Sequence, residues 1–417
     1  MHIFGLELKR LLKTRRILVM LIAAVILSAL MAFTAIQGVF YQYMGQRGQG
    51  DMLNGCAAVD ALNKENNDAY VGSVTVEKLQ QALSTCQTVY QKYGDFKNIP
   101  ADVYNQNITP IQPFLDAILE VYFPDGSSEY QDLNTLNPNR LKDFYSRRFE
   151  IIRNKLKIEY PGNQAVIQKA EKLNAKSETP FTFTKGDPGE AAMSLTFLAF
   201  LLVLIGTMIT APNFAAEYQG GADNIFRSTK YGRGRFVVAK LCASLVLLTV
   251  MFVVCSLIFI LLTDSTVGWN SFQTSVQFTY PTNNLTSLNF LQAQFATFLA
   301  ALLSFLATAC LSMFISTKCR NSTSALILSI VIFMAPTILG AVIRSGGAIR
   351  DILTYALPGG SVGLRENFYS HLVSQISFVQ IGLSSVWVPY LMLGACIIEV
   401  PVFFLLAVHA YCKHQAA

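Results

Sequence analysis

The sequence predicts an all-α polytopic membrane protein with six transmembrane helices and a mainly helical domain between the first and the second. Three observations predict it. Of the 417 residues, 52% are hydrophobic and 14% charged, against roughly 25% charged in soluble domains, and mean hydropathy is +0.40. Six stretches almost free of Asp, Glu, Lys and Arg reach the length of about 20 residues that a bilayer core requires. One long polar stretch, rich in Asn, Gln, Asp and Lys, interrupts them. Any single apolar stretch could be a buried core helix, but six together make a membrane bundle.

Residues 1–16 start the chain as an amphipathic segment. Ile3, Phe4, Leu6, Leu8, Leu11 and Leu12 give it an apolar face, and Lys9, Arg10 and Lys13 reach the headgroups, as in an interfacial helix lying on the bilayer. The spans follow at Ile17–Gln37, Ala191–Pro212, Leu241–Leu262, Gln292–Ser316, Thr323–Ile343 and Pro389–Tyr411. The first is too long for the apolar region of a signal peptide, and no small-residue cleavage site stands out after it.

Basic residues beside spans stay cytoplasmic. Lys9, Arg10, Lys13, Arg15 and Arg16 precede the first span, Arg227, Lys230, Arg233 and Arg235 lie between the second and third, Lys318 and Arg320 between the fourth and fifth, and Lys413 follows the sixth. Alternating spans put all four groups on one side. The expected topology therefore has both termini, the 213–240 segment and the 412–417 tail in the cytoplasm. The 38–190 domain and the 263–291 and 344–388 loops lie outside, although Arg344, Arg350 and Arg365 are spread through the last of these.

The 38–190 domain carries 16 Lys and Arg against 19 Asp and Glu, so the net +6 of the chain does not come from it. That removes the electrostatic basis for nucleic-acid binding. In "PNRLKDFYSRRFEIIRNKLKIEY" the apolar Leu141, Phe144, Tyr145, Phe149, Ile152 and Leu156 recur at helical steps, with Pro138 before and Pro161 after, predicting a helix. "VEKLQQALSTCQTVYQKY" and "IQPFLDAILEVYF" have the same pattern, and "FTFT" near Thr184 reads as a strand leading back to the membrane.

Of eight cysteines, only Cys56 and Cys86 fall in this domain. Two cysteines in an oxidising compartment suggest one disulfide closing a loop of about 30 residues, worth about 3 kcal/mol; two buried free thiols are the alternative. No C-x-x-C occurs and the four histidines are scattered, so no metal site is expected. The motifs G-x-x-x-x-G-K-[ST] and H-E-x-x-H are missing from the sequence; no catalytic residues are expected, and no means of hydrolysing ATP within the chain. "GGADNIF" lacks the Lys and hydroxyl of a phosphate loop.

Glu399 lies near the middle of the sixth span and is followed by Pro401. A carboxylate at that depth must be paired, protonated or wet. It is either a polar contact on a translocation path or a structural group bonded to a neighbouring span.

The segment "EYQGGADNIFRSTKYGRGRFVVAK" resembles the coupling region of permease subunits of ABC-2 type ABC transporters. In that family a Glu after the second span, a Gly pair, a short helix and an Arg entering the third span dock on the nucleotide-binding subunit. Glu217, Gly220, Gly221, Phe226, and Arg233 or Arg235 followed by Lys240, stand in those places, with Arg227 and Lys230 beside the aromatic. Where relatives carry Pro or Ser before the Arg, this chain has "YGRGR". The basic amphipathic start resembles the family's elbow, and "ALPGGSVG" with "SHLVSQISFVQIGLSS" resembles its outer re-entrant or interfacial helices. The resemblance implies a permease subunit of an exporter that works as a homodimer or with a related paralogue in the lipid bilayer. It also implies a separate ABC ATPase subunit, where ATP and magnesium bind, while the chain itself holds no cofactor. The alternative is a polytopic sensor or anchor whose outer domain binds a ligand or partner without transport. A neighbouring ATPase gene would separate the two.

Overall fold

Six helices long and apolar enough to cross a membrane, Arg15–Gly38, Gly189–Gln219, Gly234–Val267, Phe290–Lys318, Ser322–Val342 and Val388–Lys413, form the body of the protein in a computed structural model. The structure describes residues 2–44, 50–65, 67–124, 130–221, 233–343, 347–382 and 384–413. Each expected span falls on one of these helices; five are contained whole, and the fifth helix ends at Val342, one residue before the expected Ile343. The second differs most. It continues past Pro212, because the amide groups of Phe214 and Ala215, without helical partners after the proline, both donate to Ser316 Oγ at 3.0 Å. Residues 213–219 are therefore helix and not loop.

The fourth span is the axis of the bundle. It packs against the second, third, fifth and sixth and is 67% buried within the chain, whereas the first and sixth are 22% and 17% buried. Small residues set the contacts, as expected where lipid offers no hydrophobic drive for helix pairing. Ala24, Ser28, Ala32 and Ala35 are the buried face of the first span, against the second and third. Gly206 is required for a similar reason, because a Cβ there would lie 2.4 Å from the ring of Phe305.

The inserted domain is mainly helical. Val76–Tyr93 and Gln112–Tyr122 form where expected, and Phe144–Glu159 follows a 3-10 segment, Pro138–Asp143, that takes the first turns of the expected helix. Their apolar faces close on one core containing Leu83, Phe114, Ile118, Phe144, Phe181 and Phe183. Two features extend the expectation. A hairpin, Phe40–Met44 with Gly50–Asn54, leaves the first span, and Thr182–Phe183 pairs with Gly72–Ser73 on the return.

The domain is keyed to the bundle's own loops. Buried Arg148 donates to Asn174 Oδ1 at 2.8 Å and to the carbonyl of Asn284 at 2.6 Å. Asn284 donates in turn to the carbonyls of Leu372 and Val373, both at 2.8 Å. A guanidinium out of water must be hydrogen-bonded, so Arg148 fixes the domain and both loops together.

The loop after the fifth span begins with helix Gly347–Ala356. Its "PGGSV" turn dips into the bundle, where Gly359 N donates to Ser304 Oγ at 3.2 Å and Val362 packs beside Phe333 and Phe200. Only part of the stretch expected to be interfacial helix is helical, at Phe368–Val373. Phe378–Ile381 and Ser384–Trp387 pair as an antiparallel hairpin instead, with the β-branched and aromatic residues that suit a strand.

The expected disulfide is corrected. Cys56 and Cys86 are both free, the first exposed at the start of helix Cys56–Lys64 and the second buried. They belong to different parts of the fold, since Cys86 lies within the domain core while the neighbours of Cys56, Ala58 and Val59, pack with the junction to the bundle. Burial pushes the Cys86 thiol up to about 12. An alkylating reagent should therefore modify Cys56 in the folded protein without prior reduction and Cys86 only after denaturation, as peptide mass mapping would read. Protection of both thiols, lost on reduction, would restore the disulfide.

Candidate functional site

At the end of the second span a buried ionic cluster joins three elements. Glu217 sits two residues before the helix end at Gln219, and Gly221 beyond it takes φ +69°, a conformation that suits glycine. Its Oε1 accepts from Arg10 Nη1 of the elbow helix His2–Lys13 at 2.9 Å and pairs with Lys240 Nζ in the third span. Arg10 Nη2 also meets Glu7 at 2.8 Å. The cluster thus holds two carboxylates and two cations.

Its burial gives the cluster mechanical weight. Lys240 is fully buried, while Glu217 and Glu7 are 8% and 7% exposed. The Lys240 ammonium lies 4.7 Å from the ring centre of Phe214 and 5.6 Å from that of Phe236, within cation–π range. Burial raises the Glu7 carboxyl above its ordinary range, with Arg10 and Lys240 acting against that and Glu217 adding to it. Arg10 is more open, with 41% of its side chain exposed, so its pairs are screened and weaker.

The cluster rests on an aromatic floor. Phe214, Phe236 and Tyr411 pack together, with centroids 5.2 Å apart for Phe214–Tyr411 and 6.3 Å for Phe236–Tyr411. Asn213 Nδ2 donates to Ser244 Oγ of the third span at 2.8 Å, and Gln219 Oε1 accepts from Ser322 Oγ of the fifth at 3.4 Å. The tail of the second span therefore touches the elbow, third, fourth, fifth and sixth spans. A rigid displacement of this tail must move several of them, because packed helices have few intermediate arrangements.

Of the residues marked in the sequence, the structure brings Glu217 and Lys240 into contact. Gly220 and Gly221 lie exposed just beyond, and Arg233 and Arg235 are exposed at the start of the third span. Phe226, Arg227 and Lys230, with the rest of the coupling segment between Gly221 and Arg233, lie outside the described residues. Glu399 is separate from the cluster. It is half-buried in the sixth span, and its Oε2 is buried without a hydrogen-bond partner.

Sequence reasoning missed two participants, Arg10 and Glu7, and a separate buried acid, Asp264, near the other end of the third span. Arg10 reads as one of several headgroup cations, and Glu7 as an interruption of an apolar face. Asp264, just past the last apolar residue of the third span, reads as its boundary, yet it is fully buried and accepts from Gln294 Nε2 at 3.1 Å and Thr263 Oγ1 at 2.9 Å. The available signal was a lone acid, Glu7, in a basic elbow helix and a Gln opposite an Asp across a span pair, both weak in one sequence.

Six helices long and apolar enough to cross a membrane, two of them tied to helix His2–Lys13 by a buried ionic joint, describe a multi-pass membrane protein. The sequence profile described as "ABC-2 family transporter protein" matches residues 1–382; the chain belongs to that family, and has its permease role. The family implies an ABC ATPase partner and a lipid setting. No curated protein matches the chain.

Proposed function

We propose that the chain is the permease subunit of an ATP-driven exporter, forming the translocation path as a dimer and driven by separate ATPase subunits through Glu217–Lys240. The buried ionic cluster carries this reading. It stands directly on either side of the segment 222–232, so a force applied to that segment reaches the elbow, second and third spans through charged contacts that cannot slide cheaply.

In this mechanism ATP, with magnesium, is bound and hydrolysed in the partner subunit. Closure of two such subunits pulls on Gly220, Gly221 and the docking residues Phe226, Arg227 and Lys230, with Arg233 and Arg235 at the far end. Glu217 passes the displacement to Arg10 and Lys240, and the two permease halves tilt. The first and sixth spans, buried least within one chain, supply the faces available to a second copy or paralogue and to lipid. Glu399, with one oxygen free of partners, offers a polar contact along the path. Both termini and the ionic cluster lie in or at the cytoplasm, and the inserted domain lies outside, where it caps or selects cargo.

The test is composition and sidedness together. The tagged chain, extracted in mild detergent, should purify with an ATP-hydrolysing subunit as two copies of each, or as two related permeases with two ATPases, by native mass spectrometry. Cys56 should react with a membrane-impermeant maleimide in intact cells. A permease obtained in full yield with no ATPase, binding its ligand without ATP-linked transport, would favour the sensor instead, and silent Cys56 in cells with reactive Cys56 in opened membranes would invert the topology.

A further inference from the structure

A cavity of about 280 Å³ lies where the inserted domain meets the bundle. Its walls come from three passes of the chain: Phe40–Gln42, immediately after the first span; Gly186–Pro188, immediately before the second; and Thr274 with Phe278 and Thr279, in the loop after the third. Helices of the domain close the remaining side. The opening is therefore at the level where the chain leaves and re-enters the membrane bundle.

The lining combines two chemistries. Phe40, Tyr41, Phe183 and Phe278 supply aromatic surface, and Phe40 is 48% exposed. Carboxylates converge from three separate elements: Glu65 after the first domain helix, Asp116 and Glu120 one turn apart on Gln112–Tyr122, and Asp187 ahead of the second span. Among the described residues no Lys, Arg or His lines the cavity. Lys185, two residues before Asp187 in the chain, is directed to Asp68 at 2.8 Å and to the carbonyl of Glu65 at 2.7 Å.

The carboxylates are not equally engaged. Glu120 Oε1 accepts from Thr282 N at 3.0 Å, Thr282 Oγ1 at 2.5 Å and Asn283 Nδ2 at 3.0 Å, and so belongs to the loop contact. The hydrogen bonds of the other three come from neutral donors. Asp116 accepts from Tyr130 at 2.5 Å, Asp187 from Gly189 N at 2.9 Å, and Glu65 from Asn67 Nδ2 at 3.1 Å. Burial, opposed by Tyr41 and Lys185, holds the Glu65 carboxyl up at about 7, and burial also raises Asp187. Such groups gain from a nearby cation, because an opposite charge offsets desolvation of the ionised form.

We infer that this cavity is a binding site for a small organic cation, such as a substituted ammonium with an aromatic or aliphatic body, its charge set among Glu65, Asp116 and Asp187 and its body against Phe40, Tyr41, Phe183 and Phe278. Aromatic faces attract a cation through the ring quadrupole and accept the apolar remainder of the same ligand. A simple metal ion would leave those rings unused, and an anion would meet only like charge. In an exporter the site is a receiving or selecting station for cationic cargo at the outer face; that last step, unlike the binding itself, rests on the function proposed above.

Binding is measured on the purified full chain in detergent without ATPase or ATP, so its failure is independent of any failure of transport. The probe is benzyltrimethylammonium, compared by titration calorimetry with neutral benzyl alcohol and anionic benzenesulfonate. The cation should bind about 10-fold or more tighter than the alcohol, the sulfonate should give no heat of binding, and Asp116→Asn and Glu65→Gln should each weaken the cation about 5-fold or more. Asp60→Asn, an exposed carboxylate outside the cavity, should change nothing. If a carboxamide variant does not fold, Phe40→Ala takes its place and should weaken the cation about 3-fold or more. Equal affinity for cation and alcohol, or unchanged cation binding in the folded cavity variants, overturns the assignment.

Discussion

Lys240→Met should cost the folded protein about 3 to 5 kcal/mol, the loss expected when one member of a buried ion pair is removed and its partner is left charged. The variant leaves Glu217 and Glu7 to share Arg10, whose side chain is 41% exposed, and replaces the ammonium that sits over Phe214 and Phe236. Arg10→Ala should cost about 0 to 1 kcal/mol, since that guanidinium is screened by solvent. The double variant Glu217→Gln with Lys240→Met removes both charges and should recover most of the loss, because a neutral, similarly sized pair avoids desolvation. Transport should not recover with it: the double variant folds but no longer ties the third span to the second by charge. Denaturation midpoints in detergent give the stability cycle, and ATP-dependent transport in vesicles gives the function. Lys240→Met within about 1 kcal/mol of the parent would show that the cluster carries no structural load, and a fully active double variant would show that it carries no coupling.

The bundle was legible because a membrane imposes a strong pattern: about 20 apolar residues with internally satisfied backbone have few alternatives. Helices of the domain were legible for a similar reason, as with Leu141, Phe144, Ile152 and Leu156, whose spacing places them on the face that is buried. What local pattern could not show were contacts between distant positions. Ser316 satisfying the amides behind Pro212 carries the second span past its apparent end, and Arg10 meeting Glu217 spans 207 positions. Cysteine counting failed for the same reason: Cys86 is fully buried on a helix of the domain core and Cys56 stands exposed elsewhere, so two cysteines in one domain were not neighbours. The family resemblance did place Glu217 and Lys240, which the structure joins; it had no position for Glu7 or Asp264.

Phe226→Asp should abolish co-purification with the ATPase. Residue 226 lies between the two ends fixed by the ionic cluster, Glu217 on one side and Lys240 on the other, and its sequence neighbours Ile225, Arg227 and Lys230 give an apolar centre with a basic rim. Burying a phenylalanine in a partner's cleft contributes about 1.5 to 3 kcal/mol, whereas exposed rim ion pairs contribute about 0 to 1 kcal/mol each. Aspartate removes the first contribution and adds a carboxylate that must be desolvated to dock, so the aromatic decides the complex. Arg227→Ala and Lys230→Ala should weaken it mildly and flatten its loss with added salt, since fewer charge pairs then remain to be screened. Pull-down of the detergent-extracted complex at matched expression, at low and high salt, reads all three. If the segment were only a basic loop lying against anionic lipid, Phe226→Asp would leave the complex and ATP-driven transport intact while the basic substitutions disturbed insertion, and the docking role of this segment would fall.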